Sequence, residues 1–412
     1  MAQLTVILLA LAASSTDAFA PIRSLHVSSS SSSSSSPASQ VLNAWSFDFS
    51  SAFAPPAASS AKIPANKKVC VITGTTSGLG KETMRSLLDD GNFYVVSACR
   101  DVEKMKQVAA EEGFDPASYT VLECDLGSFD STRKFASKLR STIKRPLDAL
   151  VCNAALYQPA LPTPRYTEDS IEQQLQVNHL SHYLLCSLLL PDVQKAKKGR
   201  MIIVGSITGN TNTVGGGAVL PFADLGELEG MKVGSKEPVA MIDGKTFNGA
   251  KAYKDSKICN MMTVLELHRR YHQSTGITFS SMYPGCIAET QLFREKREWF
   301  RKLFPLFMKY VTGGYVSQRE AGDRLAQVVK DPRCEKSGVY WSWNGGARAV
   351  GYYDNTKGQV VGAGGSGGEL FENAPSKEVN DPVKAKLMWD YSAKITGAVF
   401  PALKGKGASV SA

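Results

Sequence analysis

Apolar residues between positions 68 and 283 form six short runs, each followed by a longer segment with helical spacing. Two long helices are predicted, from about Asp169 to Gln194 and from Ala250 to His272. Strands that alternate with helices are typical of a parallel sheet covered on both faces, so the sequence predicts an α/β, doubly wound parallel sheet. The six predicted strands are Lys68–Thr73, Phe93–Cys99, Tyr119–Cys124, Ala149–Cys152, Arg200–Gly205 and Thr278–Tyr283.

The first 61 residues do not follow this pattern. They contain an apolar run, Leu4–Ala13, and a run of nine serines, Ser28–Ser36. The apolar run is too short to span a bilayer but has the length of a signal-peptide core, and a Ser-rich, acid-poor continuation is typical of a transit peptide. Residues 1–61 are therefore predicted to be a disordered, bipartite targeting presequence, and residues 62–412 a single domain. A plain secretory signal before a disordered linker is the alternative.

Charge and cysteine content narrow the function classes. The net charge is +9, but the basic residues are interspersed with acidic ones and form no arm or stripe, which argues against a nucleic-acid partner. The eight cysteines are far apart and form no C-x-x-C pair, which indicates a reducing compartment rather than a disulfide framework or a zinc module. The pairs His179/His182 and His268/His272 have ligand-like spacing but no third ligand nearby, so no metal site is expected.

A candidate cofactor site follows the first strands. Glycines let the chain turn tightly and bring backbone N–H groups close to a pyrophosphate at a helix N-terminus, as in Rossmann folds. An NAD enzyme would place an acid after the second strand, whereas this chain has two cations there, which favours the 2′-phosphate of NADPH. The predicted contacts are Gly74, Thr75, Thr76, Ser77, Gly78, Leu79 and Gly80 in the loop, Arg100 and Lys104 at the 2′-phosphate, Asp125 and Leu126 beside the adenine, and Asn153, Ala154 and Ala155 on the nicotinamide side.

A candidate catalytic pair lies on the second long helix. Tyr253 and Lys257 are four residues apart and therefore share one helix face. An ammonium near a phenol favours the phenolate and is expected to lower the phenol pKa. The phenol then donates a proton as hydride leaves the cofactor, while the lysine also binds the nicotinamide ribose. Ser206 follows the fifth strand and is placed to hydrogen-bond the same site.

These motifs together resemble the short-chain dehydrogenase/reductase superfamily from Lys68 to about Tyr283, and Asn178 matches its mid-helix asparagine. Ser206 and Tyr253 are 47 residues apart, much further than in a typical member. The insertion, at about residues 209–248, and the block Ala252–Met261 resemble the light-dependent protochlorophyllide reductase family. Further blocks carry the same resemblance: Gly205–Asn210, His268–His272, Tyr283–Ala288, Leu292–Arg294, Gly313–Ser317 and Ser337–Asn344.

The resemblance implies a specific reaction. NADPH gives hydride to the D-ring double bond of protochlorophyllide, a proton follows on the neighbouring carbon, and the pigment itself absorbs the photon. It implies Tyr253 as the proton donor or its relay and Lys257 as the residue that positions the ribose. Cys286, in the Y-P-G-C block, would contact the substrate or assist protonation; a small apolar filler is the alternative for it. Thr208 and Tyr283 would contact the pigment.

Two departures from the family pattern affect these expectations. The family usually has Gln where this chain has Met308, which puts one polar contact to pigment or cofactor in doubt. Residues 345–369 form a Gly-rich stretch that the family mostly lacks, and an exposed, mobile loop is expected there.

Three questions stay open at this level. The segment Arg294–Tyr310 interleaves aromatic and basic residues, which fits a helix packed on the core, a lid over a flat macrocycle or a surface that docks on anionic lipid. The presequence resembles bipartite plastid presequences through its Ala-Phe-Ala-Pro motif at Ala18–Pro21. This implies a stromal protein, associated with a plastid membrane if the lipid interpretation holds.

A homo-oligomer is compatible with the sequence. A generic NADPH-dependent carbonyl reductase and a catalytically silent pigment carrier remain the alternative functions.

Overall fold

The structure is a computed structural model that describes residues 63–212, 217, 220–234, 237–289, 298–345, 352–354, 359–361 and 365–402. The predicted presequence, residues 1–61, lies outside the described residues and stays a prediction. Within the described ranges, no helix combines the length and the apolar character that crossing a bilayer would need.

The centre of the molecule is an eight-stranded sheet in the order β10-β7-β6-β5-β4-β1-β2-β3. Neighbouring strands are parallel from β3 to β7, and β10 pairs antiparallel with β7. A separate pair, β8 and β9, is antiparallel. The strands are β1 Lys68–Thr73, β2 Phe93–Cys99, β3 Tyr119–Glu123, β4 Ala149–Cys152, β5 Arg200–Val204, β6 Thr278–Met282, β7 Val339–Trp343, β8 Tyr352–Asp354, β9 Gln359–Val361 and β10 Leu370–Asn373.

Helices cover both faces of the sheet. Three of them contain or continue into a π-helical turn, at Gln176–Leu180, His268–His272 and Met308–Thr312. The helices are α1 Gly78–Asp89, α2 Val102–Glu111, α3 Phe129–Ile143, α4 Gln173–Leu175 continuing through the first π turn into Ser181–Gln194, α5 Glu229–Val233, α6 Gly249–Leu267 continuing through the second π turn into Gln273–Thr275, α7 Glu298–Phe307, α8 Gln318–Lys330, α9 Lys377–Asn380 and α10 Pro382–Thr396.

The hydrophobic core lies in two layers, one on each side of the sheet. One layer joins α1 and α8 to the strands through Met84, Leu87, Leu325 and Val328, all fully buried. The other joins α3, α4 and α6 to the opposite face. Because both faces are covered, the central strands are apolar throughout, which is why their sequence signal is a continuous run rather than an alternation.

The doubly wound parallel sheet predicted from the sequence is confirmed, with all six predicted strands present. The first long helix begins at Gln173 rather than at Asp169. Glu172 is its N-cap and accepts a hydrogen bond from Leu175 N, while the Asp169 carboxylate accepts one from Phe129 N. Asp169 therefore ties the preceding loop to α3 instead of starting the helix.

The Gly-rich stretch predicted as an exposed loop has more structure than expected. It contains the antiparallel pair β8 and β9. At its ends, Gly345 and Gly365 are buried, and Gly365 N donates to Gly345 O at 2.9 Å. Residues 366–369 are exposed, as expected. The remaining residues of the stretch lie outside the described ranges.

Candidate active site

A cleft of about 370 Å³ opens at the carboxyl edge of the sheet. This volume is in the range of small-molecule and cofactor sites, and this edge is where doubly wound folds bind their ligands. The cleft brings together most of the residues predicted from the sequence: Gly74, Thr76, Ser77, Gly78, Leu79, Gly80, Asn153, Ala154, Ala155, Ser206, Thr208, Tyr253, Lys257, Tyr283 and Cys286.

The glycine loop forms one end of the cleft. Gly74 and Gly78 have φ angles of +74° and +59°, which side chains rarely adopt. A Cβ at Gly80 would come within 2.2 Å of Gly74 O, so a side chain there would force the loop apart. The loop leads into the N-terminus of α1, where Gly78, Leu79 and Gly80 line the cleft. Backbone N–H groups at such a helix N-terminus bind anionic groups such as a pyrophosphate.

Asn153 and Thr73 lock the loops after β4 and β1 together. The Asn153 side-chain amide donates to Thr73 O at 2.8 Å and to Gly74 O at 3.1 Å. In return, Thr73 Oγ1 accepts from the backbone N–H groups of Asn153 and Ala154. Asn153 lines the cleft, but its amide holds the glycine loop in shape.

The predicted loop contact Thr75 faces away from the cleft. Its side chain is fully buried and hydrogen-bonds Ser97 on β2, with Met105 of α2 also in contact. It therefore fastens the loop to the sheet, and only its backbone remains available to a cofactor.

The predicted catalytic side chains meet in the middle of the cleft. Ser206 hydrogen-bonds the Tyr253 phenol. The Lys257 ammonium lies 5.6 Å from the centre of the Tyr253 ring and donates to Val204 O at 3.0 Å. The Ser206 hydroxyl is itself 2.9 Å from Thr208 Oγ1. The hydroxyl of Tyr253 is therefore held between β5 and α6, with the ammonium one helical turn away.

The expected lowering of the Tyr253 pKa is not found. Burial raises the pKa of this phenol above its ordinary value of 10, and the hydrogen bond from Ser206 only partly opposes that rise. Burial also lowers the pKa of Lys257 to about 8. The physical reason is desolvation: an enclosed site penalises both the phenolate and the ammonium. At neutral pH the phenol is protonated and the ammonium retains its charge.

Cys286 lines the cleft in a wall that consists of Tyr283–Ile287. Burial raises the pKa of the Cys286 thiol to about 12, so the thiol is neutral at physiological pH. The backbone at Cys286 forms a bridge with Tyr315. The same wall therefore combines a phenol and a thiol, both of them weak acids.

Besides Thr75, four predicted cofactor residues lie outside the cleft lining. Arg100 and Lys104 are exposed at the end of β2 and the start of α2. The Asp125 carboxylate accepts from Gly127 N at 2.8 Å, and Leu126 O accepts from the Ser181 hydroxyl at 2.7 Å. The last two residues therefore shape the turn after β3, near the end where the adenosine half of a dinucleotide would extend.

Asn178 supports the site from behind. It sits in the π turn of α4, and its amide donates to Leu156 O at 2.9 Å and to Ser256 Oγ at 3.1 Å, while Leu156 N donates to its Oδ1 at 2.7 Å. The π turn gives the helix an irregularity of the kind that often occurs at functional sites. Asn178 thereby connects the loop after β4 to the catalytic helix α6.

Among the lining residues that were not predicted as site residues, Tyr157 and Lys254 have polar side chains. The Tyr157 ring lies 4.8 Å from the Tyr253 ring, centre to centre, and burial raises the pKa of Tyr157 to about 12. Lys254 donates to Pro221 O at 2.8 Å, and burial lowers its pKa to about 8. Tyr157 could have been predicted because it belongs to the loop after β4. The hydrogen bond of Lys254 could not, because its partner Pro221 belongs to the insertion, which has no periodic pattern.

The described residues contain no group of three His, Cys, Asp or Glu side chains that could hold a metal ion. His182 hydrogen-bonds Thr73 Oγ1 at 2.9 Å, and His179 hydrogen-bonds Ser392 at 2.9 Å. Burial lowers the pKa of His179 to about 3 and that of His182 to about 4, so both rings are neutral core groups.

The insertion is joined to the catalytic helix by a buried ion cluster. The Lys251 ammonium lies 2.9 Å from an Asp243 carboxylate oxygen and 2.5 Å from Asp255 Oδ2, and Asp255 also accepts from Asp224 N. Burial alone would lower the pKa of Lys251, but the two carboxylates outweigh it and raise the pKa. Lys251 and Lys257 thus lie on one helix with opposite pKa shifts.

The opposite pKa shifts of Lys251 and Lys257 predict that replacing these lysines has opposite effects on the free energy of unfolding. Burial depresses the pKa of Lys257, so its charged form costs stability below about pH 8, and that cost disappears as pH rises toward the unfolded value of 10.5. Lys257→Met should therefore stabilise the cofactor-free protein at pH 7, on the order of 2 kcal/mol, and the gain should shrink above pH 8. Urea unfolding at a series of pH values measures it.

The matched control is Lys251→Met. It leaves Asp243 and Asp255 buried without their ammonium and should cost about 3–5 kcal/mol at pH 7. If both variants lower the free energy of unfolding at pH 7, the assignment of Lys257 as a destabilising buried charge is wrong.

Known proteins share this geometry. The family profile described as short chain dehydrogenase matches residues 68–218. An uncharacterized protein from Mycobacterium Paratuberculosis has a similar crystal structure, with a TM-score of 0.55 at 21% identity over 83% of this chain and 98% of that one. At that identity the likeness shows the fold alone.

Curated relatives cover most of the chain. Protochlorophyllide reductase, chloroplastic, from Marchantia paleacea is 51% identical over 82% of this chain and 70% of its own length. The protein of the same name from Chlamydomonas reinhardtii is 49% identical over 82% of this chain and 80% of its own length. At about half of the residues identical over most of both sequences, the chain belongs to the protochlorophyllide reductase family of short-chain dehydrogenase oxidoreductases.

Proposed function

We propose that this chain reduces the D-ring double bond of protochlorophyllide to give chlorophyllide, in a light-driven step of chlorophyll biosynthesis. The observation that carries the proposal is the protonated phenol of Tyr253, buried beside the Lys257 ammonium at the wall of a cleft that also contains the glycine loop. The names of the relatives support the choice of substrate.

The residues present fit a nicotinamide dinucleotide. The first turn of α1 presents backbone N–H groups to the cleft at Gly78, Leu79 and Gly80, which suits a pyrophosphate. Lys257 and Tyr253 line the same cleft as this end and Cys286, and a ribose and the reacting ring would be placed beside them. When bound, the cofactor supplies the hydride.

Tyr253 supplies the proton. Reduction of a carbon–carbon double bond leaves negative charge on the neighbouring carbon, which needs a nearby acid. Because burial raises its pKa, Tyr253 stays neutral and keeps the proton until that charge develops. The Lys257 ammonium, with a pKa of about 8, stabilises the phenolate that remains, and Ser206 keeps the hydroxyl in place.

Cys286 is the second weak acid of the site. Its thiol has a pKa of about 12 and shares a wall with Tyr283, so it contacts the pigment and supports the relay rather than acting as a thiolate nucleophile. Thr208, one hydrogen bond from Ser206, faces the same space and is a further pigment contact.

A flash experiment tests the function directly. Purified protein mixed with NADPH and protochlorophyllide should show conversion of the pigment absorption after a flash and none in the dark. A generic carbonyl reductase would oxidise NADPH in the dark with simple carbonyl substrates. A silent pigment carrier would bind the pigment and leave its spectrum unchanged after the flash.

Tyr253→Phe isolates the proton step. The variant loses only a hydroxyl, so NADPH and pigment should still bind, and a flash should still produce the hydride-transfer intermediate. Protonation should then slow by about 10²–10⁴-fold, the usual contribution of a positioned acid. Time-resolved absorption in water and deuterium oxide measures it. An unchanged protonation rate would assign the proton to Cys286 or to a water chain.

The cofactor is NADPH rather than NADH. Arg100 and Lys104 are exposed at the end of β2, where the adenosine ribose of a dinucleotide lies in this fold, and no acidic residue takes the ribose position there. Two cations at that place suit a 2′-phosphate. Asp125 and Leu126 form the neighbouring turn and would flank the adenine.

Arg100→Ala should therefore weaken NADPH binding by about 1.5–3 kcal/mol, the value of a hydrogen bond to a charged group, and leave NADH binding nearly unchanged. Fluorescence titration with both cofactors measures the difference. Lys106→Ala, on the helix α2 that follows Arg100, is the control because Lys106 pairs with Glu103. Equal losses of binding affinity for NADPH and NADH in Arg100→Ala would contradict the assignment of Arg100 to the 2′-phosphate.

We further propose that the protein works at a membrane surface inside the plastid, as the description of the relatives as chloroplastic supports. Four large apolar side chains of the α7 region, Trp299, Leu303, Leu306 and Tyr310, are each at least half exposed, with helical spacing. Lys302 and Lys309 are exposed beside them. An exposed apolar stripe next to lysines suits the interface of an anionic lipid bilayer.

The double variant Leu303→Ser/Leu306→Ser should lose most of its binding to anionic vesicles in a flotation assay and keep its NADPH affinity. Val383→Ser, which changes an equally exposed apolar residue on α10, should bind vesicles like the unaltered protein. If the double variant floats as well as Val383→Ser, the α7 region is not the lipid contact.

A further inference from the structure

The guanidinium of Arg324 connects three parts of the molecule. Arg324 belongs to α8 and is only 4% exposed. Its Nη1 donates to Pro284 O at 2.8 Å, and its Nη2 donates to Gly365 O at 2.7 Å and to Gly367 O at 2.8 Å. Nη2 also lies 2.8 Å from a Glu320 carboxylate oxygen. One buried cation thus binds the loop after β6, the end of the Gly-rich stretch and its own helix.

Glu320 also hydrogen-bonds the Gly-rich stretch. Its Oε1 accepts from Gly367 N at 2.7 Å, and its Oε2 accepts from the Ser366 hydroxyl at 2.6 Å. Arg324 therefore holds the carbonyls of this segment, while Glu320 holds its N–H and O–H donors. Fixed donors and acceptors of this kind, close to a buried charge, define one conformation of a glycine-containing segment.

A second connection runs from the same segment to Cys286. Ser366 N donates to Tyr315 O at 3.0 Å, and Tyr315 forms a backbone bridge with Cys286. Next to that bridge, Val316 N donates to Cys286 O at 3.0 Å. The Gly-rich segment and the cysteine therefore lie on opposite sides of one short stretch of chain.

The turn between these contacts has no room for a side chain at Gly285. Gly285 has a φ of +111°, and a Cβ there would come within 2.3 Å of Val316 Cγ2 and 2.9 Å of Arg324 Nη1. Pro284, Gly285, Cys286 and Ile287 all line the cleft. The wall that carries the thiol is therefore pressed directly against the guanidinium.

We propose that Arg324 is a positioning residue for this wall. With Glu320, it clamps residues 365–367 of the Gly-rich stretch against the loop Pro284–Ile287 and so sets the position of the Cys286 thiol in the cleft. The end of the Gly-rich stretch is thus part of the support of this wall. The pigment-binding consequence rests on the proposed function, whereas the position of the thiol does not.

Arg324→Lys tests the proposal, because a lysine keeps the charge but cannot reach three carbonyls with a planar fork. The matched control is Arg200→Lys: Arg200 is 6% exposed and donates to Val328 O and Asp331 O, at the opposite edge of the sheet. The first readout is the iodoacetamide alkylation rate of Cys286 in the full-length protein, followed by mass spectrometry.

Alkylation of Cys286 should become at least about tenfold faster in Arg324→Lys and stay unchanged in Arg200→Lys, although both substitutions lower the unfolding midpoint. In the flash assay, Arg324→Lys should raise the KM for pigment about tenfold with little change in NADPH affinity. Equal alkylation rates in the two variants overturn the proposal. If Cys286 is alkylated faster in Arg324→Lys but the unaltered protein shows no flash activity, the clamp is supported and the proposed function is wrong.

Glu320→Gln provides the milder variant if Arg324→Lys does not fold. It keeps an acceptor for Gly367 N but removes the carboxylate charge beside the guanidinium. Cys286 alkylation should rise in the same direction by a smaller factor. An alkylation rate in Glu320→Gln equal to that of the unaltered protein counts against the clamp.

Discussion

A buried ammonium beside a buried phenol is the constraint on which the site depends. Lys257 donates to Val204 O and lies against the Tyr253 ring, in a place where desolvation disfavours every charged form. Desolvation keeps the phenol protonated, and it lowers the pKa of the Lys257 ammonium to about 8, close to neutral pH. In the proposed mechanism, the proton donor and the group that stabilises its conjugate base thus depend on the same low-dielectric environment.

Burying the Lys257 ammonium costs stability, and the contacts around the site stabilise the arrangement. Asn178 joins the loop after β4 to α6, and Asn153 fixes the glycine loop. Lys251 fastens the insertion to the same helix by its two carboxylate partners. Each of these contacts satisfies buried polar groups that would otherwise be unpaired, and each lies within two helical turns or one loop of Tyr253.

Much of the fold and the site can be predicted from the sequence because parallel strands buried on both faces leave continuous apolar runs. The carboxyl ends of those strands must meet at one edge, so the order of strands and motifs is enough to predict that Gly74, Asn153, Ser206 and Cys286 lie together. The edge strand β10 escapes such a prediction because it is short and only partly buried.

The features that sequence reasoning missed depend on burial and on long-range contacts. The spacing of Tyr253 and Lys257 predicts their proximity but not the raised phenol pKa. That pKa depends first on burial and then on the charges of Tyr157 and Cys286, which only the folded chain brings close to Tyr253. Likewise, Arg324 reads as an ordinary basic residue on a helix. Its role appears only when Pro284 and Gly365, 40 and 41 residues away, are brought to it.

The protonation state of Tyr253 is the quantity that tests the role of desolvation most directly. A carbon-13 label on the phenol carbon of Tyr253 alone, followed by nuclear magnetic resonance across pH 6 to 11, reports the pKa of that one phenol. The label should keep the shift of a neutral phenol to above pH 10, since burial raises the pKa beyond its ordinary value. A transition to phenolate near pH 8 would contradict this and would restore the simpler view that the Lys257 ammonium lowers the pKa of its neighbour.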